Sequence, residues 1–194
     1  PAVSEAMRAR QPGPKNMDAL DSERHNTVFT LNGQTWPWRP HLSYRQGRFW
    51  QPDVTVATVV IREGRLLLVE EEVGGKRVLN QPAGHLEPDE AIIEAAVRET
   101  LEETGWTVRL TSFVGAYQWQ AAETGRSYLR LAFTADALSH DPTRPLDAGI
   151  VQALWLTPTE LCEREADHRS PLVWRTVTDT LAGRRLPLAA VTAL

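Results

Sequence analysis

Residues 84–106 read GHLEPDEAIIEAAVRETLEETGW, and the organisation of this stretch decides the fold expected of the chain. Pro88 suits an early helical position, and Asp89 and Glu90 favour the positive end of a helix macrodipole, so a loop is expected to run into a helix here. Gly105 supplies the stop. At about 100° per residue, Glu99, Glu102 and Glu103 fall within roughly a third of the helix circumference, with Arg98 at the edge of that arc. Away from them, Ile93, Ala96, Val97, Thr100 and Leu101 form a stripe able to bury against a sheet.

Carboxylates at spacings of three and four repel one another and raise one another's pKa. Water alone can offset this, and a solvated face is the ordinary fate of Glu-Glu on a helix. The alternative is a hard divalent cation: Mg²⁺ prefers carboxylate and carbonyl oxygen and keeps positions for water and substrate phosphates.

The full pattern, Gly-x5-Glu-x7-Arg-Glu-x2-Glu-Glu-x-Gly, decides between the two. Its fixed positions are Gly84, Glu90, Arg98, Glu99, Glu102, Glu103 and Gly105. With residue frequencies of about 5–7% each, such a match arises by chance on the order of once in a million chains of this length. The stretch resembles the signature of the Nudix superfamily. Two positions depart from it: Thr100 stands where an aliphatic residue is usual, and Ala83 where many members carry a second glycine. The resemblance implies an α/β fold, an α/β/α sandwich with a mixed β-sheet. It implies Mg²⁺ as cofactor, with Mn²⁺ as a substitute, held by Glu99, Glu102, Glu103 and the main-chain carbonyl of Ala83. Glu99 would also be the general base, and Arg98 would orient it, an ordinary salt bridge being the competing role for Arg98. Glu90 is expected to be structural.

Before the signature, residues 1–48 form an N-terminal extension, and residues 49–194 the hydrolase domain. The first 25 or so residues have a composition that favours disorder. Leu31-Asn32-Gly33-Gln34 marks a hairpin, and Trp36, Trp38, Phe49 and Trp50 are expected to dock onto this fold or a dimer mate. Met17 is a second candidate start of translation. Val54–Ile61 is β-branched and reads as a central strand, turned by Glu63-Gly64 into a hairpin partner at Arg65–Glu70. A short strand through Arg77-Val-Leu-Asn80 delivers Ala83 and Gly84. After the helix, strands are expected at 108–120, 127–135 and 150–156, and helices opened by Thr157-Pro158 and Ser170-Pro171.

Composition removes other classes. A net charge of −4 and a pI near 5.8 argue against nucleic acid as a partner, whereas a small phosphorylated metabolite can be met through a metal. The lone Cys162 excludes an internal disulfide and reads as a buried small hydrophobe rather than a nucleophile. No apolar run reaches the roughly 18 residues that span a bilayer, so a membrane partner is not expected and the location is expected to be cytoplasmic. Either a monomer or a homodimer is compatible.

The resemblance extends outside the signature. From Pro52 through Leu188 the chain is similar to the NudJ-type phosphatases of the superfamily, through Asn80-Gln-Pro-Ala-Gly-His-Leu-Glu87, Gln118-Trp119, Leu129-Arg130 and Arg169-Ser-Pro-Leu-Val173. It implies hydrolysis of nucleoside tri- and diphosphates and of thiamine-type pyrimidine diphosphates, with release of orthophosphate. Substrate contacts are assigned to Trp119 as a platform for the ring, Arg130 as a phosphate ligand, and Gln81 and Asp147. Two alternatives stand beside this: a different nucleoside diphosphate derivative such as ADP-ribose as substrate, and a catalytically silent module for sensing or assembly.

Overall fold

The computed structural model describes residues 50–193, together with the backbone of Val28–Leu31 and Gln34–Pro37. The expected disorder of the first residues and the docking of Trp36, Trp38 and Phe49 lie outside what is described. The chain divides into two compact units, Pro1–Trp50 and Gln51–Leu194. In the first, β1 (Val28–Leu31) pairs antiparallel with β2 (Gln34–Pro37), with Leu31 opposite Gln34, as the Asn-Gly pair between them leads one to expect.

The second unit is organised by β3 (Asp53–Arg62) and β4 (Arg65–Val73). They meet only at their shared turn, where Ile61 faces Leu66 and Arg62 faces Arg65, because Glu63 and Gly64 both adopt positive φ and close a tight reversal. The expected hairpin partnership therefore ends within two residue pairs, and beyond it the two strands take different partners within one seven-stranded sheet. β3 gives one edge to β6 (Ala83–His85), antiparallel, and the other to β8 (Ser127–His140), parallel. β7 (Trp106–Gln120) lies antiparallel outside β8. β4 instead pairs with β5 (Lys76–Asn80) and β9 (Ile150–Leu156), both antiparallel. With both edges occupied and helices on both sides, β3 is buried continuously from Thr55 to Val60.

Side chains of β3 alternate between two cores. Val56 and Val60 join Leu67, Ala95, Ala96, Val108, Leu110 and Phe133 under α1 (Ile92–Thr104). Val59 joins Leu66, Leu68, Leu79, Leu161, Val173 and Val177 beneath α2 (Pro158–Glu163) and α3 (Pro171–Leu181). Helices thus cover both sides of a mixed sheet, the expected α/β/α sandwich. Thr157 opens α2 with a capping box shared with Glu160, as expected. Cys162, expected to be buried, is exposed on α2, because Leu161 takes the inward position beside it.

Two expectations for α1 are corrected. The helix starts at Ile92, so Pro88 is not in its first turn; Asp89 has φ of 63°, and the Glu87 N–H reaches the Glu90 side chain in a turn that precedes the helix. The buried face is also not the purely apolar stripe. Ala95, Ala96, Thr100 and Thr104 are buried, and so are Glu99 and Glu103, while Ile93, Val97 and Leu101 are only partly covered. Thr100, the departure from the usual aliphatic residue, places its hydroxyl 2.7 Å from that of buried Thr58 and donates to the Ala96 carbonyl. Among the described residues, no helix is long and apolar enough to cross a membrane.

Candidate active site

β6 is three residues long, yet it sets the site. Antiparallel pairing alternates, and the bonds from Leu86 N–H to the Val54 carbonyl and from Thr58 N–H to the Pro82 carbonyl bracket β6, so the main-chain groups of Ala83 and His85 point away from β3. α1 takes up that free edge with side chains. The Ala83 N–H donates to Glu103 Oε2 at 2.8 Å, and Arg98 Nη2 donates to the His85 carbonyl at 3.1 Å.

Arg98 collects the acids. Its Nε and Nη2 make a forked pair with Glu90 at 2.6 and 2.8 Å, and its Nη1 donates to Glu99 at 2.8 Å and to Glu102 at 2.9 Å. Orientation and salt bridging, weighed above as rival roles, are the same contacts. The fork holds Glu90 below the usual carboxylate range, consistent with a structural role for that residue. Gly84 is needed for a different reason: a Cβ there would overlap the Glu99 carboxylate, which packs directly against the main chain.

Burial, opposed by the hydrogen bond from Arg98, raises the Glu99 pKa. Burial also pushes Glu103 up to about 9, against the stabilising N–H of Ala83 and with the negative charges of Glu71, Glu99 and Asp147 adding to the effect. One carboxylate oxygen each from Glu99, Glu102 and Asp147 lies within 4.8 Å of the other two. Asp147 comes from the loop between β8 and β9, which is tied to α1 by the Asp147 N–H on the Glu102 carbonyl and the Asp141 N–H on the Gly105 carbonyl. The donor set is all oxygen and carries more negative charge than Arg98 neutralises, which fits a hard divalent cation.

The sequence profile of the NUDIX domain matches residues 51–174, the span that contains both β6 and α1. The chain belongs to the Nudix family. It is 40% identical over 142 residues to Phosphatase NudJ of Escherichia coli K12 and to that of Shigella flexneri, matches that cover 73% of this chain and 92% of each relative. A solved Nudix hydrolase from Nitrosomonas europaea is 46% identical, covering 74% of this chain and 98% of its own with a TM-score of 0.73. A UDP-X diphosphatase structure, at 15% identity and a TM-score of 0.58, shares the fold. This protein is therefore a Nudix phosphohydrolase.

Asp147, expected above to contact substrate, sits beside Glu99 and Glu102. Arg130, assigned to phosphate, is buried, with Nη1 at 3.3 Å from Asn80 Oδ1 and 3.5 Å from Gln81 Oε1, and its Nε has no partner. Burial lowers its pKa to about 10, with the charges of Glu71 and Glu103 opposing. Gln81 is also buried, and its amide donates to the Val173 carbonyl at 2.7 Å, linking the start of the signature to α3. Trp119 stacks on Tyr128, with ring centroids 5.4 Å apart, and lines an open groove beside α3. Sequence reasoning passed over Glu71, whose Oε2 lies 3.6 Å from Arg169 Nη1. In a run of three glutamates nothing marks it out; the parallel register that puts Arg130 beside Thr55 brings a buried cation into its field.

Proposed function

We propose that this Nudix hydrolase cleaves phosphoanhydride bonds of nucleoside tri- and diphosphates and of thiamine-type pyrimidine diphosphates, with Mg²⁺ and with release of orthophosphate. The observation that carries the reading is the convergence of Glu99, Glu102 and Asp147 on an intact signature helix. Its similarity to Phosphatase NudJ supports the choice of terminal phosphate as product. Glu99, Glu102 and Asp147 would hold the cation, with Glu103 and the Ala83 carbonyl completing the set once Glu103 has lost its proton. A cation there supplies neutralisation of the diphosphate oxygens and a lower pKa for water, and Mn²⁺ meets the same donor preference.

Glu99 acts as general base. Its carboxylate is kept oriented by Arg98 at 2.8 Å. It takes a proton from water as the water oxygen bonds to the terminal phosphorus. The anhydride bond breaks, and its electron pair leaves with the bridging oxygen on the nucleoside mono- or diphosphate. Trp119, which lines the groove beside α3, would serve as the platform for a ringed substrate, and the negative net charge of the chain supports small metabolites over nucleic acid.

A panel of phosphorylated metabolites assayed with Mg²⁺, with products resolved as orthophosphate, pyrophosphate or monophosphate, tests this. Orthophosphate from several nucleoside diphosphates and from thiamine diphosphate is the expected result. Hydrolysis confined to ADP-ribose-like diesters, or no hydrolysis of any diphosphate, overturns it.

A further inference from the structure

Asp147 reaches the acid centre from a loop that has little of its own to hold it in place. Of residues 141–149 none is buried, and Leu146 alone is partly covered. A segment with so few buried contacts opens at low cost unless its ends are fixed. Inside the loop, the Thr143 N–H and hydroxyl both donate to Asp141 Oδ1, at 2.9 and 2.7 Å, and the Ile150 N–H donates to the Asp147 carbonyl at 3.0 Å. These bonds shape the loop without attaching it. Attachment to α1 falls to the Asp141 N–H on the Gly105 carbonyl at 2.9 Å and the Asp147 N–H on the Glu102 carbonyl at 3.1 Å, both at the end where a helix leaves carbonyls without an internal partner.

The entrance to the loop carries a side-chain anchor. β8 ends at His140 and β7 begins at Trp106, and the two are register partners. A shift in register separates them from the rest of the ladder: Trp106 faces His140 and Thr107 faces Ser139, then Val108 faces Ala137, which leaves Leu138 unpaired and exposed. Two residue pairs beyond a bulge are a weak hold. The exposed His140 adds to it by stacking on the indole of Trp106, with ring centroids 4.7 Å apart and planes at 20°. That indole is itself fixed. It packs on the core under α1, meets the Trp155 ring of β9 edge-on at 5.6 Å, and has the Arg62 guanidinium 5.4 Å from its centroid. Gly105, with φ of 69°, lets the strand end come close, since a Cβ there would meet the Asp141 carbonyl oxygen at 2.7 Å and His140 Nε2 at 3.4 Å.

We infer that His140 is a positioning residue: its ring, laid on Trp106, anchors the entrance of the loop and so keeps Asp147 beside Glu99 and Glu102. The path is short. Asp141 follows His140 directly and bonds Gly105, and Asp147 bonds the main chain of Glu102, one of the acids it joins. The inference rests on the reading of Asp147 as a cation ligand, though the anchoring itself can be measured with no metal present.

The test begins in metal-free protein, with amide exchange followed by NMR. His140→Ala should speed exchange at Asp141 and Asp147 about three- to tenfold, the range that an aromatic pair supplies, while Thr100 in the middle of α1 exchanges as before. His140→Phe, which keeps a ring on the indole, should restore most of the protection. Calorimetric titration with Mg²⁺ shows whether the anchor works through Asp147. His140→Ala should weaken Mg²⁺ binding about threefold in the wild-type background and leave it unchanged in Asp147→Asn. Unaltered exchange at Asp147 in His140→Ala, acceleration shared equally by Thr100, or an equal loss of Mg²⁺ affinity in both backgrounds overturns the inference. Wild-type Mg²⁺ affinity in Asp147→Asn would sink the cation reading of Asp147, and faster Asp147 exchange in His140→Ala would then leave the loop anchor alone standing.

Discussion

Glu103 accepts a hydrogen bond from the Ala83 main chain at 2.8 Å while burial drives its pKa to about 9. The two effects oppose, and burial wins. A carboxyl whose pKa is higher folded than unfolded binds more protons in the native state, so its contribution is full below the unfolded value of 4.5 and is lost as pH rises towards about 9. The metal-free protein should therefore lose stability between these limits, and saturating Mg²⁺ should remove most of the loss by favouring the ionised form. Urea midpoints measured across that range with and without Mg²⁺ check this. Glu103→Gln should flatten the metal-free profile and reduce turnover by at least about 10²-fold, and a profile that rises with pH in the wild type contradicts the assignment.

Gly84→Ala isolates the close approach of α1 to β6. The new methyl group meets the Glu99 carboxylate, so the acid must move or the strand must shift. Overpacking of this kind costs about 1–3 kcal/mol, and displacement of a general base should lower kcat about tenfold or more. Steady-state kinetics beside a denaturation curve separates the two effects, and an unchanged kcat would show that Glu99 does not work from this position.

Asp147→Asn examines the member of the acid group contributed by a distant loop. Asp147 is exposed, so stability should hold, while affinity for Mg²⁺ should fall about 10–100-fold. Calorimetric titration with Mg²⁺ reads this directly. Affinity equal to the wild type would leave Glu99 and Glu102 as the only ligands of the three.

Thr100→Val removes one half of a buried hydroxyl pair and leaves Thr58 without its partner at 2.7 Å. The expected cost is about 1–3 kcal/mol. Pairing it with Thr58→Val should restore part of that, giving a positive coupling in a double-mutant cycle by urea denaturation. Additive losses would mean the hydroxyls do not depend on each other.

Much of the site was legible because its parts are close in sequence. Spacing along one helix places Glu99, Glu102 and Glu103 together, and the signature names all three. The helix start was misread because Pro88 and Asp89 are equally at home in a turn, and the contact of Arg98 with Glu90 that accompanies the turn geometry spans eight residues and leaves no periodic trace. The burial of Glu99 and Glu103 was hidden for a related reason. A carboxylate reads as solvent-facing until an edge strand offers it an N–H or a glycine offers it space.

By itself the sequence determined the sandwich and the acidic helix, because strand alternation, helical spacing and the Gly-to-Gly signature are encoded in short range. Only the tertiary structure decided that Asp147 joins Glu99 and Glu102, that Arg130 is buried against Asn80 and Gln81, and that Trp119 and Trp174 line one groove. Each of those meetings depends on where a loop or strand returns after a long excursion, and that is set by the packing of two cores on one sheet rather than by any local pattern.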